Sequence, residues 1–491
     1  MYQNHDQVHQ KLSPEGLRTL FSGCADFQTR SIRFGLDTAL HLSLCWLDGC
    51  VSGSALTEDV LRPLTQAVRA RGVDSERACL ERLLEGGVTR CSLQRRERLA
   101  DVADDLCHGC CALLFPALGA ALCFELRSDK RAVSEPTLEK SLKGGKDAFV
   151  ETLRVNTALV RARLATPELK IAERSLGRRS RTRVSLLYLE GVANPQTVTE
   201  LSRRLDRLDL DALLGCGPLE EALADAPDSP FPQLLHTERP DRFAMQLADG
   251  RIGLLVDGLP LGLLLPVTLA EFMRVTGDGS MHYTVATMLT ALRYAALVLS
   301  ALLPGFYVAV ALYHQEMIPT RLLLSIIQAE RDVPFSTAME VLGMLAAFSL
   351  LQEAGLRLPN PIGDTVSIIG ALIVGQAAVE ARVVSPIAII VVALSAIACY
   401  TLPSQDLGFA LRLTRLALLL GAIFGGLFGV GCVSFLVLLH LADLDSFGVN
   451  YTAPLSDGRE GALRRLLIRL PWRLDRFRDP LLHTPDRRRR R

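Results

Sequence analysis

The sequence predicts an α+β N-terminal region built of two similar α/β subdomains, followed by an α-helical transmembrane domain. Three observations predict it. A pattern of residues in the first half returns 142 positions later. Long uncharged stretches between about Arg293 and Asp443 lift the mean hydropathy to +0.25, although 22% of all residues are charged. Finally, Thr365–Gln405 consists of two apolar runs rich in Gly, Ala and Ser, joined by Glu380-Ala381-Arg382 and without an aromatic residue before Tyr400. Small residues let apolar helices approach closely inside a bilayer. The expected organisation is a first subdomain over 1–135, a second over 136–275, helical membrane segments over 276–445 and a basic tail over 446–491.

The net charge of +1 argues against a polycation that binds nucleic acid. Charge is instead polarised, because the tail carries Arg464, Arg465, Arg469, Arg473, Arg476, Arg478 and the run Arg487–Arg491. A basic segment after an apolar span marks the cytoplasmic side and suits contact with anionic headgroups; a solvated tail has the same composition. The first thirty residues are polar and contain no apolar secretory core, so the N-terminal region is expected in the cytoplasm. The twelve cysteines are scattered, as small buried side chains would be.

In the first subdomain Arg33–Val51 reads as strand, with Leu40, Leu42, Leu44 and Trp46 before a turn at Asp48-Gly49. Thr57 reads as the N-cap of a following helix. The repeat aligns Leu42–Gly49 with Val184–Gly191, Thr57-Glu58 with Thr199-Glu200, Glu97-Arg98 with Glu238-Arg239, and Leu106–Gly109 with Leu247–Gly250. It also decides Ile252–Pro266, which resembles a membrane segment. Asp257-Gly258 between two short apolar runs signals a β-hairpin, fifteen residues are short for a span, and a counterpart lies at Leu113–Leu126. Cys107-His108-Gly109-Cys110-Cys111 has the look of a metal knuckle, but no second Cys/His pair stands at a suitable spacing. A linker through Ser134–Pro136 and Lys143–Lys146 leads to a helix over Asp147–Leu164; Gly144-Gly145-Lys146 lacks the spacing of a phosphate loop. Lys170–Arg183 is basic, and reads as a solvated loop or as a surface for a partner or lipid.

In the membrane half, Tyr294–Tyr313 is long enough to span as a helix. Val341–Gln352 is short, and Thr365–Val379, Val383–Gln405 and Leu416–Ala442 follow. A cytoplasmic N-terminal region and a cytoplasmic tail need an even number of crossings. One of the five segments is then interfacial or re-entrant, with Ser336–Gln352 the first choice and Thr365–Val379 its rival. Ionisable groups at membrane depth face a cavity or one another, so Gln376, Glu380 and Arg382 read either as part of an ion path or as headgroup-level residues at a hairpin turn. Glu340 and Glu353 flank the short apolar helix.

Several segments together resemble one family. They are NTALVRARLATPELK (156–170), RTRVSLLYLEGVAN (181–194), SPFPQLLHTERPD (229–241), the hairpin 250–266, HQEMIPT (314–320), EAGLRLP (353–359) and GDTVSIIGALIVGQAAV (363–379) followed by Val384-Ser385-Pro386. The set is similar to the GerA family of spore germination proteins, of the A-subunit and SpoVAF type. Pro232, Glu238, Arg239, Pro240, Asp257, Gly258, Glu316, Pro319 and Gly375 fall in these motifs. The resemblance implies a spore inner membrane protein, multi-pass, with cytoplasmic N-terminal region and tail. It further implies a homo-oligomeric, pentameric cation channel that partners a transporter-like B subunit and a lipoprotein C subunit, or SpoVA-type proteins. On that basis Gln376, Val379, Glu380 and Arg382 become the expected pore lining, with Val379 as constriction and Glu380 as a cation-attracting mouth. A non-conducting scaffold and a secondary transporter are the competing readings; a transporter is expected to repeat within its membrane part, whereas the repeat here lies before it. No nucleophile, metal or phosphate-loop pattern suggests an enzyme, and no cofactor or nucleic acid is expected.

Overall fold

The computed structural model describes residues 12–34, 40–71, 75–87, 92–127, 135–137, 139, 144–357, 375–457 and 466–490. The chain divides into two units, one comprising Met1–Pro227, Leu234–Val267 and Trp472–Arg491, the other Asp228–Gln233 and Thr268–Pro471.

The first unit holds two antiparallel sheets. One contains β1 (Phe27–Phe34), β2 (Leu40–Leu47), β3 (Leu93–Arg96), β4 (Cys110–Phe115) and β5 (Ala120–Glu125) in the order β1-β2-β4-β5-β3. The other contains β6 (Leu169–Leu176), β7 (Thr182–Leu189), β8 (Leu235–Thr237), β9 (Ile252–Val256) and β10 (Gly262–Leu265) in the order β6-β7-β9-β10-β8. The two orders are the same, as the repeat requires. Helices recur with them: α1 (Pro14–Leu20) precedes β1 and α2 (Leu99–Cys107) precedes β4, while α3 (Leu153–Arg161) precedes β6, α4 (Pro195–Arg207) follows β7 and α5 (Pro240–Ala248) precedes β9. Matched glycines take matched left-handed dihedrals, with φ of 90° at Gly109 and 104° at Gly250.

The apolar run at 252–266 is the hairpin β9–β10, with Leu254 opposite Leu263, and its counterpart is β4–β5, with Leu113 opposite Leu122. These strands are apolar throughout because both faces are covered. In the first sheet Ala112 and Leu114 pack with Leu99, Val102 and Leu106 of α2, and Leu113 and Phe115 pack with Leu56, Val60 and Leu80 on the opposite face. A strand buried on both faces does not alternate, which is why this hairpin imitates a membrane segment.

Local readings differ at three points. Thr57 is not an N-cap: Ser52 caps that helix by accepting from Ala55 N–H at 3.4 Å, and the Thr57 hydroxyl donates back to the Gly53 carbonyl at 2.9 Å. The second repeat does the same, with Asn194 as cap and Thr199 donating to Pro195 O at 2.9 Å. Lys170–Arg183 is neither loop nor open basic surface but the β6–β7 hairpin. Arg174 pairs with Asp206 at 2.6 Å, Arg178 with Asp209, and Arg179 with Asp211 at 3.1 Å. The helix expected from Asp147 starts at Leu153.

The subdomains are tied together by Arg161, the last residue of α3, which is fully buried. Its Nη2 donates to Asp26 Oδ2 at 2.8 Å and its Nε to the same carboxylate at 3.1 Å. Nη1 donates to the carbonyls of Thr166 and Leu169 at 3.0 and 3.1 Å. Burial alone would lower the guanidinium pKa, but the Asp26 charge outweighs it and the pKa is raised. Beside the pair, Ala25 N–H donates to Ile171 O at 2.8 Å and Ile171 N–H to Gly23 O at 3.1 Å.

In the C-terminal segment, Arg478 Nε donates to the Ala248 carbonyl at 2.9 Å, Arg489 pairs with Asp475 at 2.6 Å and with Asp249, and Asp486 N–H donates to Gly191 O at 3.2 Å. Part of the basic tail is therefore paired on the second subdomain.

The second unit is helical: α6 (Tyr283–Tyr313), α7 (Thr320–Glu330), α8 (Thr337–Arg357), α9 (Pro386–Tyr400) and α10 (Gln405–Asp443), followed by a two-stranded ribbon, β11 (Asp445–Ser446) and β12 (Val449–Asn450). Helix α6 begins earlier than expected because Arg293 does not end it; Arg293 is held by Asp278 at 2.6 and 2.9 Å. Helix α8 runs through both Glu340 and Glu353. Helices α6 and α10 are long and apolar enough to cross a membrane. The expected uninterrupted run Leu416–Ala442 breaks at Gly426, where φ is 57° and ψ −140°. The backbone doubles back there, and a Cβ on Gly429 would fall 1.9 Å from the Gly421 carbonyl oxygen. The Tyr313 hydroxyl donates to Ile423 O at 2.6 Å beside this bend.

Two predictions follow from these contacts. Removing one partner of the buried pair, as in Arg161→Met or Asp26→Asn, strands the other charge and costs about 3–5 kcal/mol; removing both costs less than either alone. Urea unfolding of the purified chain, read by tryptophan fluorescence, measures the cycle. Gly429→Ala crowds the bend and costs about 1–3 kcal/mol, whereas Gly431→Ala, with open space around its Cβ position, leaves the thermal midpoint level or raises it.

Candidate functional site

Residues 365–374 of the expected pore wall lie outside the described residues. From Gly375 the chain is helical to Glu380 and then turns over residues 381–384 into α9. Gln376, Ala377 and Glu380 are exposed, and Val379 is half-buried. Gln376 and Glu380 stand four residues apart and so share one face of the turn. The turn is held from two sides. Arg382 adopts φ 54°, and its Nη1 donates to Asp332 Oδ2 at 2.7 Å at the surface. Ser385, fully buried, caps α9 by accepting from Ala388 N–H at 3.3 Å, while its own N–H donates to Glu340 Oε2 at 2.7 Å. Gln376, Val379, Glu380 and Arg382 are thus brought into one short segment anchored on Asp332, in the turn after α7, and on Glu340 of α8.

The motif residues fall elsewhere. Asp257 Oδ1 accepts from Leu153 N–H at 3.0 Å, and Gly258, at φ 86°, donates to Glu151 O at 2.7 Å. Glu238 and Arg239 are buried, with Arg239 paired to Asp241 at 2.6 Å, and Pro240 opens α5. These positions hold the second subdomain together. Pro232 lies in Asp228–Gln233 of the helical unit, where the neighbouring Ser229 Oγ is 2.8 Å from His440 Nε2. Glu316 and Pro319 are exposed between α6 and α7. Of the Cys107–Cys111 run, Cys107 and Cys111 are buried while His108 is exposed. Burial pushes the Cys107 thiol up to about 12, which disfavours the thiolate that a metal needs.

Sequence reasoning misses Arg415, because the uncharged run counted as the last span starts at Leu416, just after it. Helix α10 passes through Arg412 and Arg415, and Arg415 is 6% exposed. Its Nη1 donates to Ser395 Oγ at 3.1 Å, and Ser395 donates in turn to the Ser300 carbonyl at 2.9 Å, so one polar chain links α10, α9 and α6. Among the described residues no carboxylate pairs with Arg415. Arg412 lies over the Phe409 ring, 4.9 Å from its centre. The sequence signal was an arginine three residues from another inside an otherwise apolar helix.

Two sheets in one repeated order and a helical unit with apolar spans define a two-part membrane-associated protein. The sequence model of the family described as Bacillus/Clostridium GerA spore germination protein matches residues 15–480, and the chain belongs to that family. It is 33% identical over 468 residues to spore germination protein KA of Bacillus subtilis, covering 94% of this chain and 85% of that protein. It is 35% identical over 459 residues to the membrane protein YfkQ of the same organism, covering 93% and 88%. The crystal structure of the N-terminal domain of the A subunit of the Bacillus megaterium spore germinant receptor GerK3 is similar at 29% identity and a TM-score of 0.42, over 53% of this chain and 96% of that one.

Proposed function

We propose that the chain is the A-type subunit of a germinant receptor complex in the spore inner membrane, and that several copies form a cation channel opened when a partner subunit senses nutrient. The observation that carries the reading is the apolar exterior of the helical unit. Phe424, Phe428 and Phe435 of α10 are 83%, 80% and 66% exposed. Faces of that kind suit lipid or neighbouring copies rather than water. The segment 375–385 supplies what a pore lining needs. Gly375, Ala377, Ala378 and Ala381 allow close approach between copies, Val379 narrows the path, and Gln376 and Glu380 present polar groups on one side. Exposed arginines at 487, 488 and 490 suit a cytoplasmic tail under the positive-inside rule, which supports that orientation of the chain. A transporter-like B subunit and a lipoprotein C subunit are the partners of this arrangement, and no catalytic step is part of it.

The test is made in spores that carry the chain as their functional copy. Val379→Ala removes the constriction, so cations leak before nutrient is added; Glu380→Gln slows nutrient-triggered cation release by about tenfold or more, a cost of at least about 1.4 kcal/mol at the mouth. Ala377→Cys crosslinks copies into a ladder. Unchanged release in both variants favours a non-conducting scaffold, and monomer alone in the crosslinking arm rules out a pore shared between copies.

A further inference from the structure

Two arginines of α10 carry charge that no anion in the helical unit answers. Arg415 spends one donor, Nη1, on Ser395 Oγ at 3.1 Å. That serine is itself committed. Pro304, inside α6, has no N–H, so the Ser300 carbonyl four residues earlier lacks its helical donor. The Ser395 hydroxyl fills the gap at 2.9 Å. Ser395 therefore offers Arg415 a lone pair and no charge. Among the described residues, Arg415 Nε and Nη2 donate to nothing. The titratable groups that act on Arg415 are Arg412 and the Cys399 thiol, a second cation and a group that is uncharged at neutral pH. Arg412, one turn earlier, rests on the Phe409 ring, and its Nε is buried with no hydrogen-bond partner. Among the described residues no carboxylate pairs with either arginine.

A guanidinium stays charged inside a protein, and two of them side by side, withdrawn from water, call for a negative partner. The surroundings say what kind. Phe409, Leu413, Leu416 and Leu420 succeed one another at helical spacing and are all exposed, so they form an apolar stripe beside Arg412. A group that reaches the arginines from outside passes over that stripe. Acyl chains cover such a surface favourably, whereas a bare anion or a solvated peptide does not. Arg412 and Arg415 stand about 10 and 15 Å along α10 from its start at Gln405. At that depth long arginine side chains reach toward the headgroups and the bilayer thins to meet them. The planar forks match phosphate oxygens, which accept two parallel N–H bonds. We infer that Arg412 and Arg415 bind the phosphate of an anionic phospholipid, with its acyl chains along Phe409, Leu413 and Leu416. The lipid supplies the counter-charge at the point where Arg415, Ser395 and the Ser300 carbonyl join α10, α9 and α6. The site rests on the helical unit lying in a bilayer and stands whether or not the assembled protein conducts.

The melting midpoint of the purified full chain in a neutral maltoside detergent tests this, with added phosphatidylglycerol, phosphatidylcholine or sodium phosphate, and with sodium chloride holding ionic strength constant. A ligand that binds only the folded state raises the midpoint as its concentration exceeds Kd. The expected result is a dose-dependent rise with phosphatidylglycerol that neither phosphatidylcholine nor sodium phosphate reproduces. Combining Arg412→Gln with Arg415→Gln shifts the phosphatidylglycerol dose upward by about tenfold or more. Arg321→Gln, at an exposed position on α7, keeps the wild-type dose. If the double variant fails to fold, Arg412→Gln alone takes its place and shifts the dose by a smaller factor. No rise with phosphatidylglycerol, an equal rise with phosphatidylcholine, or a rise that survives the arginine variants overturns the inference. A rise that sodium phosphate matches assigns the site to a free anion and overturns the lipid. Arginine variants that abolish self-association but keep the wild-type lipid dose assign the pair to a carboxylate of a second copy, and overturn it as well.

Discussion

A charged group withdrawn from water has to be answered by its surroundings, and the architecture of this chain follows from how that is done. Arg161 is answered completely, by a bidentate carboxylate and two carbonyls. The groups involved come from both subdomains, so the pair can form only when the two repeats are docked. Without it, each sheet would keep its own core while the contact between them lost its most specific element. A buried ion pair adds little net stability against an apolar isostere, but a half-broken one is costly. The arginine therefore acts mainly to exclude other ways of assembling the repeats.

In the helical unit the answers are sparser. Arg415 is met by a serine that passes the hydrogen bond on to the Ser300 carbonyl. Glu340 is met on one oxygen by the N-terminal end of α9. Such groups stay out of a protein core unless something requires them. Both act at helix contacts, Arg415 joining α10 to α9 and α6, Glu340 joining α8 to α9. The short segment with Glu380 and Arg382 hangs from one of these contacts.

The fold was legible where the chain repeats a physical pattern. The hairpin at Ile252–Val256 and Gly262–Leu265 could be separated from a membrane span because Asp257-Gly258 interrupts it and its counterpart has the same form. The boundaries of the long helices were not legible. Arg293, Glu340, Glu353 and Arg415 bound the uncharged runs and so looked like helix ends, since a lone charge at membrane depth is costly. Arg293 is paired with Asp278, and Arg415 is solvated by the Ser395 hydroxyl on another helix. The break at Gly426 was hidden too, because several neighbouring glycines are chemically alike and only tertiary packing selects the one that turns. Cap residues followed the same rule: Ser52 and Thr57 both carry hydroxyls, and the cap fell to the residue whose backbone lies outside the helix. Of the site, the polar group Gln376–Arg382 stood out against its apolar flanks. Its anchor, the bond from Ser385 to Glu340, joins residues 45 apart and left no mark in the sequence.

The account centres on a cation path through copies of the helical unit. Flux from liposomes that contain the purified chain together with its partner subunits tests it most directly, with potassium or chloride as the only permeant ion. The account predicts nutrient-dependent potassium efflux and no chloride efflux. Vesicles that hold both ions in the presence of nutrient, with folded and oriented protein in the bilayer, would contradict it.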